Sequence, residues 1–119
     1  MIEVRALRAD NDRSTFRSGQ PDLDRFFRRY AGQNQFKHHV GVSWVAVDGE
    51  AGIIGFATVS ASQIETSELP TGQRKRLPRY PLPVLRLARL AVDKSAQGRG
   101  VGVALLRAMF MLARQMARE

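Results

Sequence analysis

A chain of 119 residues fits one domain with one modest core, and its 44% hydrophobic and 25% charged residues exclude wholesale disorder. It has no apolar run long enough to cross a bilayer and no cysteine for disulfides or thiolate metal sites, and Met1-Ile2-Glu3-Val4 lacks the charged-then-apolar layout of a signal peptide; the expectation is a cytoplasmic protein with no membrane contact and no metal site. Nineteen Lys and Arg against eleven Asp and Glu give a formal net charge of +8, a field that favours a polyanionic partner: nucleic acid, an acidic protein or a phosphorylated cofactor.

In chain order, Ile2 to Leu7 sets Ile2, Val4 and Ala6 against Glu3 and Arg5, the alternation of a half-buried strand. Asp10 to Gly19 is polar and reads as a loop or a short turn of helix. Pro21 suits a first helical turn, where Asp22 and Asp24 complement the helix dipole. Leu23, Phe26, Phe27, Tyr30 and Ala31 then recur at helical spacing, with Arg25, Arg28 and Arg29 mainly on the other face; this helix is expected to end near Gly32 to Asn34. Val42 to Val47 is a β-branched and aromatic strand, Asp48-Gly49-Glu50 a tight turn, and Ile53 to Ser60 the return strand of an antiparallel hairpin. Gln63 to Pro83 has no apolar period, holds four of the five prolines and the run Arg74-Lys75-Arg76, and reads as a long surface loop.

Val84 to Val92 is the next strand. Strict alternation puts Val84, Arg86, Ala88, Leu90 and Val92 on one face and Leu85, Leu87, Arg89 and Ala91 on the other; apolar residues on both faces suit a central strand. After a glycine turn, Val101, Leu105, Ala108, Leu112 and Met116 form a helical stripe that Leu106, Met109 and Ala113 widen. The order is strand, helix, hairpin, strand, helix: an α+β chain with a mixed sheet. A further strand normally follows such a helix, so the chain is expected to be shortened at its C-terminus.

The turn Gln97-Gly98-Arg99-Gly100-Val101-Gly102 carries the chemistry. A helix start offers free backbone N–H groups and a partial positive charge, and it binds anions readily. Glycines keep Cβ groups away from a pyrophosphate and permit positive φ; Gln97 offers a side-chain donor and Arg99 a charge. A dinucleotide fingerprint is a poor fit, because Val103 stands where its third glycine belongs, and the Gly-Lys-Ser/Thr of a Walker loop is missing. A glycine-rich helix start that binds nothing is the plain alternative. Glycine in a first helical turn costs about 1 kcal/mol relative to alanine, which weighs against three of them in five residues as packing alone.

With Leu90-Ala91-Val92-Asp93 before it and Leu105-Leu106 after it, this turn resembles motif A of the GCN5-related N-acetyltransferases (GNAT). Phe16-Arg17-Ser18-Gly19 with Leu23 to Asn34, and Leu77 to Val92, are similar to segments of the acetyltransferase toxins of toxin–antitoxin modules, so the resemblance covers essentially the whole chain. It implies an acetyl-CoA-dependent enzyme that acetylates the α-amine of aminoacyl-tRNA, stalls translation and is neutralised by a ribbon-helix-helix antitoxin; toxins of this type commonly form homodimers. It implies that Leu90, Ala91 and Val92 offer strand backbone to the pantetheine arm. Gln97, Gly98, Arg99, Gly100, Val101 and Gly102 would cradle the pyrophosphate, with Val103 closing the turn. Arg28, Arg29, Lys37, Arg74, Lys75, Arg76, Arg79, Arg86 and Arg89 would make the tRNA contacts.

The family continues past motif A with further strands, a helix and a tyrosine that serves as general acid. The expectation here is therefore a single GNAT-like domain over residues 1–119, an acetyl-CoA-binding fold lacking its last strands and helix, weakly active or inactive as it stands. Tyr30 and Tyr80 do not match the tyrosine's position, His38 and His39 read as solvated loop residues, Glu65 and Glu68 as loop carboxylates, and no catalytic residue is assigned. Two other readings are a non-catalytic module that holds an antitoxin or joins it on operator DNA, and an acetyltransferase for proteins or small molecules.

Overall fold

The structure, a computed structural model, describes residues 2–39, 41–49, 52–64 and 82–118. Four strands, β1 (Ile2–Ala6), β2 (Val42–Asp48), β3 (Gly52–Ile64) and β4 (Leu82–Val92), form one antiparallel sheet in the order β1-β2-β3-β4. Helix α1 (Pro21–Arg25) continues through two π-helical stretches, Phe26–Tyr30 and Gln33–Lys37, and covers one face of the sheet. Helix α2 (Val101–Arg118) covers the other, after a 3-10 turn at Lys94–Ala96.

The α1 face is aromatic. Phe27 stacks on Phe56 with centroids 4.3 Å apart, and Phe16 meets both rings edge-on at 5.0 and 5.4 Å. The α2 face is aliphatic: Val101, Leu105 and Met109 bury against Ala46, Ile54, Ala57 and Val59. Gly55 sets how close α2 comes, since a Cβ there would lie 2.9 Å from Val101 Cγ1 and 3.1 Å from Leu105 Cδ1. The buried stripe of α2 thus centres on Val101, Leu105 and Met109, whereas Leu106 and Met116, expected inside, are exposed.

Helix α1 departs from its expected course in two ways. It runs on past Gly32, whose φ of −65° and ψ of −46° are helical, to Lys37. The extension is held by Gln35, which donates from Nε2 to the Leu7 carbonyl at 3.0 Å and accepts from the Ser43 N–H at 2.8 Å. The Ala31 N–H reaches back to the Phe26 carbonyl, five residues earlier, and this wider turn rotates Tyr30 off the core to 46% exposure. Arg13 donates to the Phe27 carbonyl at 2.8 Å across the same stretch.

Strand β4 also differs from expectation. Among the described residues it pairs only with β3, so it is an edge strand rather than a central one. The ladder extends into the expected loop as far as the pair Ile64↔Leu82, and Pro83, which lacks an N–H, is tolerated at an edge. The remainder of that loop, including Arg74, Lys75, Arg76, Arg79 and Tyr80, with Glu65 and Glu68, lies outside the described residues. Thr58 pairs with Arg89 but Val59 with Leu87, which leaves Ala88 as a bulge and reverses the alternation. Leu85 therefore packs on the α2 face with Leu90 and Val92, and Arg86, opposite Ser60, shares the α1 face with Arg89. No helix among the described residues is long and apolar enough to cross a membrane.

Candidate phosphate cradle and basic face

The glycine turn lies where β4 hands over to α2. Gly98 and Gly100 have φ of +83° and +82°, and a Cβ on either would meet nothing within 4 Å. The positive φ requires glycine, and the open space is where a bound group has room. In the opening turn of α2 the first backbone N–H to be paired is that of Ala104, which donates to the Gly100 carbonyl at 3.0 Å. The preceding N–H groups of Val101, Gly102 and Val103 are the free donors of a helix start, aimed at the turn. The Val101 side chain is buried in the aliphatic core, which fixes this end of the helix. The residues present fit a pyrophosphate: clearance, donors and a positive dipole end converge on one place.

Two side chains of the turn do something other than what their sequence suggests. Both N–H bonds of the Gln97 amide are used, one to the Ser18 carbonyl at 2.8 Å and one to the Val92 carbonyl at 3.0 Å. Gln97 is thus a tie between the turn, β4 and the segment before α1, and it has no side-chain donor left for phosphate. Arg99 leans to the end of β2, where its guanidinium lies 3.1 Å from the Asp48 carboxylate. That contact is the foremost cause holding the Asp48 carboxyl below its usual range.

A second tie reinforces the first. Asp93 accepts from the Arg17 N–H at 2.8 Å and from both the N–H and the hydroxyl of Ser95, while the Lys94 N–H donates to the Arg17 carbonyl at 2.8 Å. Burial pushes the Asp93 carboxyl up, but the hydrogen bonds from Ser95 and Arg17 outweigh it and hold the group below its usual range. On the far side, buried Asp24 accepts from the Ser18 hydroxyl at 2.7 Å and from the Ser18 N–H at 2.9 Å. The segment Phe16 to Gly19 is clamped between the start of α1 and the end of β4.

The clamp puts cations together that the sequence keeps apart. Arg17, Gly19, Pro21, Asp24, Arg28 and Lys94 line a cavity of about 370 Å³, and Pro21, Arg25, Arg28 and Arg29 line a neighbouring one of about 280 Å³. Arg89 stacks its guanidinium 3.8 Å over the Phe26 ring, and Arg86 lies exposed on the same face. Of the expected tRNA-contact residues, Arg28, Arg29, Arg86 and Arg89 thus share the α1 side, with Lys37 exposed at the far end of the helical run. Arg17, Arg25 and Lys94 were not among those expectations; the fold joins them to Arg28 and Arg29 along the two cavities. His38 and His39 are exposed, as expected.

The strand residues assigned to the cofactor arm, Leu90, Ala91 and Val92, pair with β3 on one side, and among the described residues no strand lies on their other side, although the Val92 carbonyl already accepts from Gln97. Val103, expected to close the turn, is 53% exposed.

Comparison with known proteins places these features in context. Residues 39–119 match the acetyltransferase (GNAT) domain family. A tRNA-acetylating toxin of Mycobacterium tuberculosis (strain ATCC 25618 / H37Rv) is 35% identical over 97 residues, which are 82% of this chain and 57% of the relative. The chain thus spans little more than half the length of that protein. The structure of AtaT complexed with acetyl-methionyl-tRNAfMet superposes with a TM-score of 0.79 at 23% identity, over 94% of this chain and 68% of that one. A mutant AtaT toxin bound to acetyl-CoA and to the C-terminus of the antitoxin AtaR gives 0.77 at 19% identity, over 98% and 68%. At these identities the two solved structures establish a common fold.

Proposed function

The chain belongs to the GNAT acetyltransferase family, and on that premise we propose that it is an acetyl-CoA-dependent N-acetyltransferase acting on the α-amine of aminoacyl-tRNA. In this reading it is a cytoplasmic toxin, one domain in a homodimer, that blocks translation until a ribbon-helix-helix antitoxin binds it. The observation that carries the cofactor is the open cradle at Gly98 and Gly100, backed by unpaired N–H groups at the start of α2. The curated tRNA-acetylating relative and the basic face of this chain support the choice of substrate.

The cofactor supplies an acetyl thioester; the chain supplies place and charge. The backbone of Gln97 to Val103 holds the pyrophosphate, and the free edge at Leu90 to Val92 receives the pantetheine arm as an added strand would be received. Arg28, Arg29, Lys37, Arg86 and Arg89, with Arg74, Lys75, Arg76 and Arg79 of the segment outside the described residues, hold the RNA backbone. Attack by an amine needs a neutral nucleophile placed against the carbonyl, so positioning is the main contribution asked of the protein.

The test is direct. The chain is incubated with radiolabelled acetyl-CoA and a pool of aminoacyl-tRNA, and the label is followed into N-acetylaminoacyl-tRNA. Label transfer supports the reading. Calorimetric binding of acetyl-CoA without transfer to any aminoacyl-tRNA would restrict the chain to cofactor recognition and overturn the assignment as an enzyme.

A further inference from the structure

We propose that the groove between Arg17, Arg28 and Lys94 is an RNA phosphate site, separate from the glycine cradle and continuous with the basic face of α1. The inference rests on the reading of tRNA as substrate and extends it from Arg28 to Arg17 and Lys94, which neither the resemblance nor the sequence assigned.

Three observations carry it. First, the two cavities share Pro21 and Arg28, so the cationic lining runs unbroken from Lys94 beside the cradle to Arg29 on α1. Second, Lys94, though exposed, passes close over Gly19. Gly19 has a φ of +97°, and a Cβ there would lie 2.8 Å from Lys94 Cε and 3.7 Å from its Nζ. The lack of a side chain at Gly19 gives Lys94 this path, which brings its ammonium alongside the turn that carries Arg17. Third, these charges are not consumed inside the protein. Among the described residues Arg17, Arg25, Arg29 and Lys94 form no ion pair. Among the described residues the Arg28 side chain donates only to the Asp24 carbonyl, at 3.3 Å. The one carboxylate in the lining, Asp24, is buried and taken by Ser18 and Gly19.

Three cations facing a half-open groove favour phosphate oxygens, and a string of cations along a path suits successive phosphodiesters rather than one isolated group. A nucleotide phosphate of the cofactor has the same chemistry, and the experiment separates the two sources.

The Arg17→Gln/Lys94→Gln double variant is compared with the parent chain in two titrations: fluorescence anisotropy with labelled, uncharged tRNA at several salt concentrations, and calorimetry with acetyl-CoA. Neither side chain has a hydrogen bond or ion pair to lose among the described residues. The expected result is a loss of tRNA affinity of about tenfold and a salt dependence shallower by one to two counterions, roughly 0.7 to 0.9 per phosphate contact, with acetyl-CoA affinity unchanged. The Arg17→Lys/Lys94→Arg variant, which keeps both charges, should bind tRNA within about twofold of the parent. Unchanged tRNA affinity and salt slope in the neutral variant would overturn the proposal. So would a loss of acetyl-CoA affinity alone, which would give the groove to the cofactor. A parent chain that binds acetyl-CoA but no tRNA would bring down the substrate reading itself, and this inference with it.

Discussion

The glycine cradle and the basic groove lie side by side on the rim of one sheet, and they are built in opposite ways. The cradle takes its shape from Gln97 to Gly102, consecutive residues whose backbone angles are set by glycine. The groove draws on Arg17, Arg28 and Lys94, and the clamp that assembles it joins Arg17 to Asp93 across 76 positions of sequence. A backbone site depends on local conformation and tolerates change in the residues around it. A charge site of this kind depends on every tie that brings its segments together, and it fails when one of them is cut.

The largest expected effect falls on the cradle. Replacing Gly98 and Gly100 together with valine forces β-branched residues to positive φ and fills the open space. The strain is about 1–2 kcal/mol per residue, and acetyl-CoA affinity by calorimetry should fall at least about 100-fold. Retained affinity would place the cofactor elsewhere and remove the contrast between the two sites. Next comes the support beneath both. Gly55→Val would drive a side chain into Val101 and Leu105 and lower stability by about 1–3 kcal/mol in a urea titration. No change would mean that α2 can withdraw from the sheet freely.

Gln97→Leu sharpens the comparison, since it removes both hydrogen bonds of the tie without touching a glycine. Stability should drop by about 1–2 kcal/mol and tRNA affinity should weaken with it, because Arg17 loses part of its support, while acetyl-CoA affinity stays within about threefold. A larger loss of cofactor than of tRNA affinity would make Gln97 a phosphate ligand after all. The smallest effect is on the acid limb of stability. The native Asp93 carboxyl is held below its ordinary 3.8 by its hydrogen bonds with Ser95 and Arg17. Its contribution is therefore complete above the unfolded value and is lost as pH falls through the lower native one. Solvent screening keeps it to about 1 kcal/mol or less. Asp93→Ala should reduce stability at neutral pH by that amount and remove this part of the acid dependence, measured as urea midpoints from pH 2 to pH 7.

Much of this was legible before the structure. Alternation marked β1 and the hairpin, and the spacing of Leu23, Phe26, Phe27 and Ala31 marked the core side of α1. The glycines marked the cradle. The failures share a cause. The bulge at Ala88 moved Arg86 to the side of Arg89, and the π turn moved Tyr30 outward. Each inserts one residue into a regular period, and a periodic pattern has no term for an insertion. The side-chain partners of Gln97 and Arg99 were not legible for another reason: Ser18, Val92 and Asp48 become their neighbours only in the fold.

By itself the sequence determined what short-range physics governs: where strands and helices lie, and where glycine keeps the start of a helix open. Tertiary structure alone decided which charges act together. Electrostatic fields add through space rather than along the chain, so Arg17, Arg28 and Lys94 became a site only when Asp93, Gln97 and Asp24 drew the segment from Phe16 to Gly19 against the end of β4.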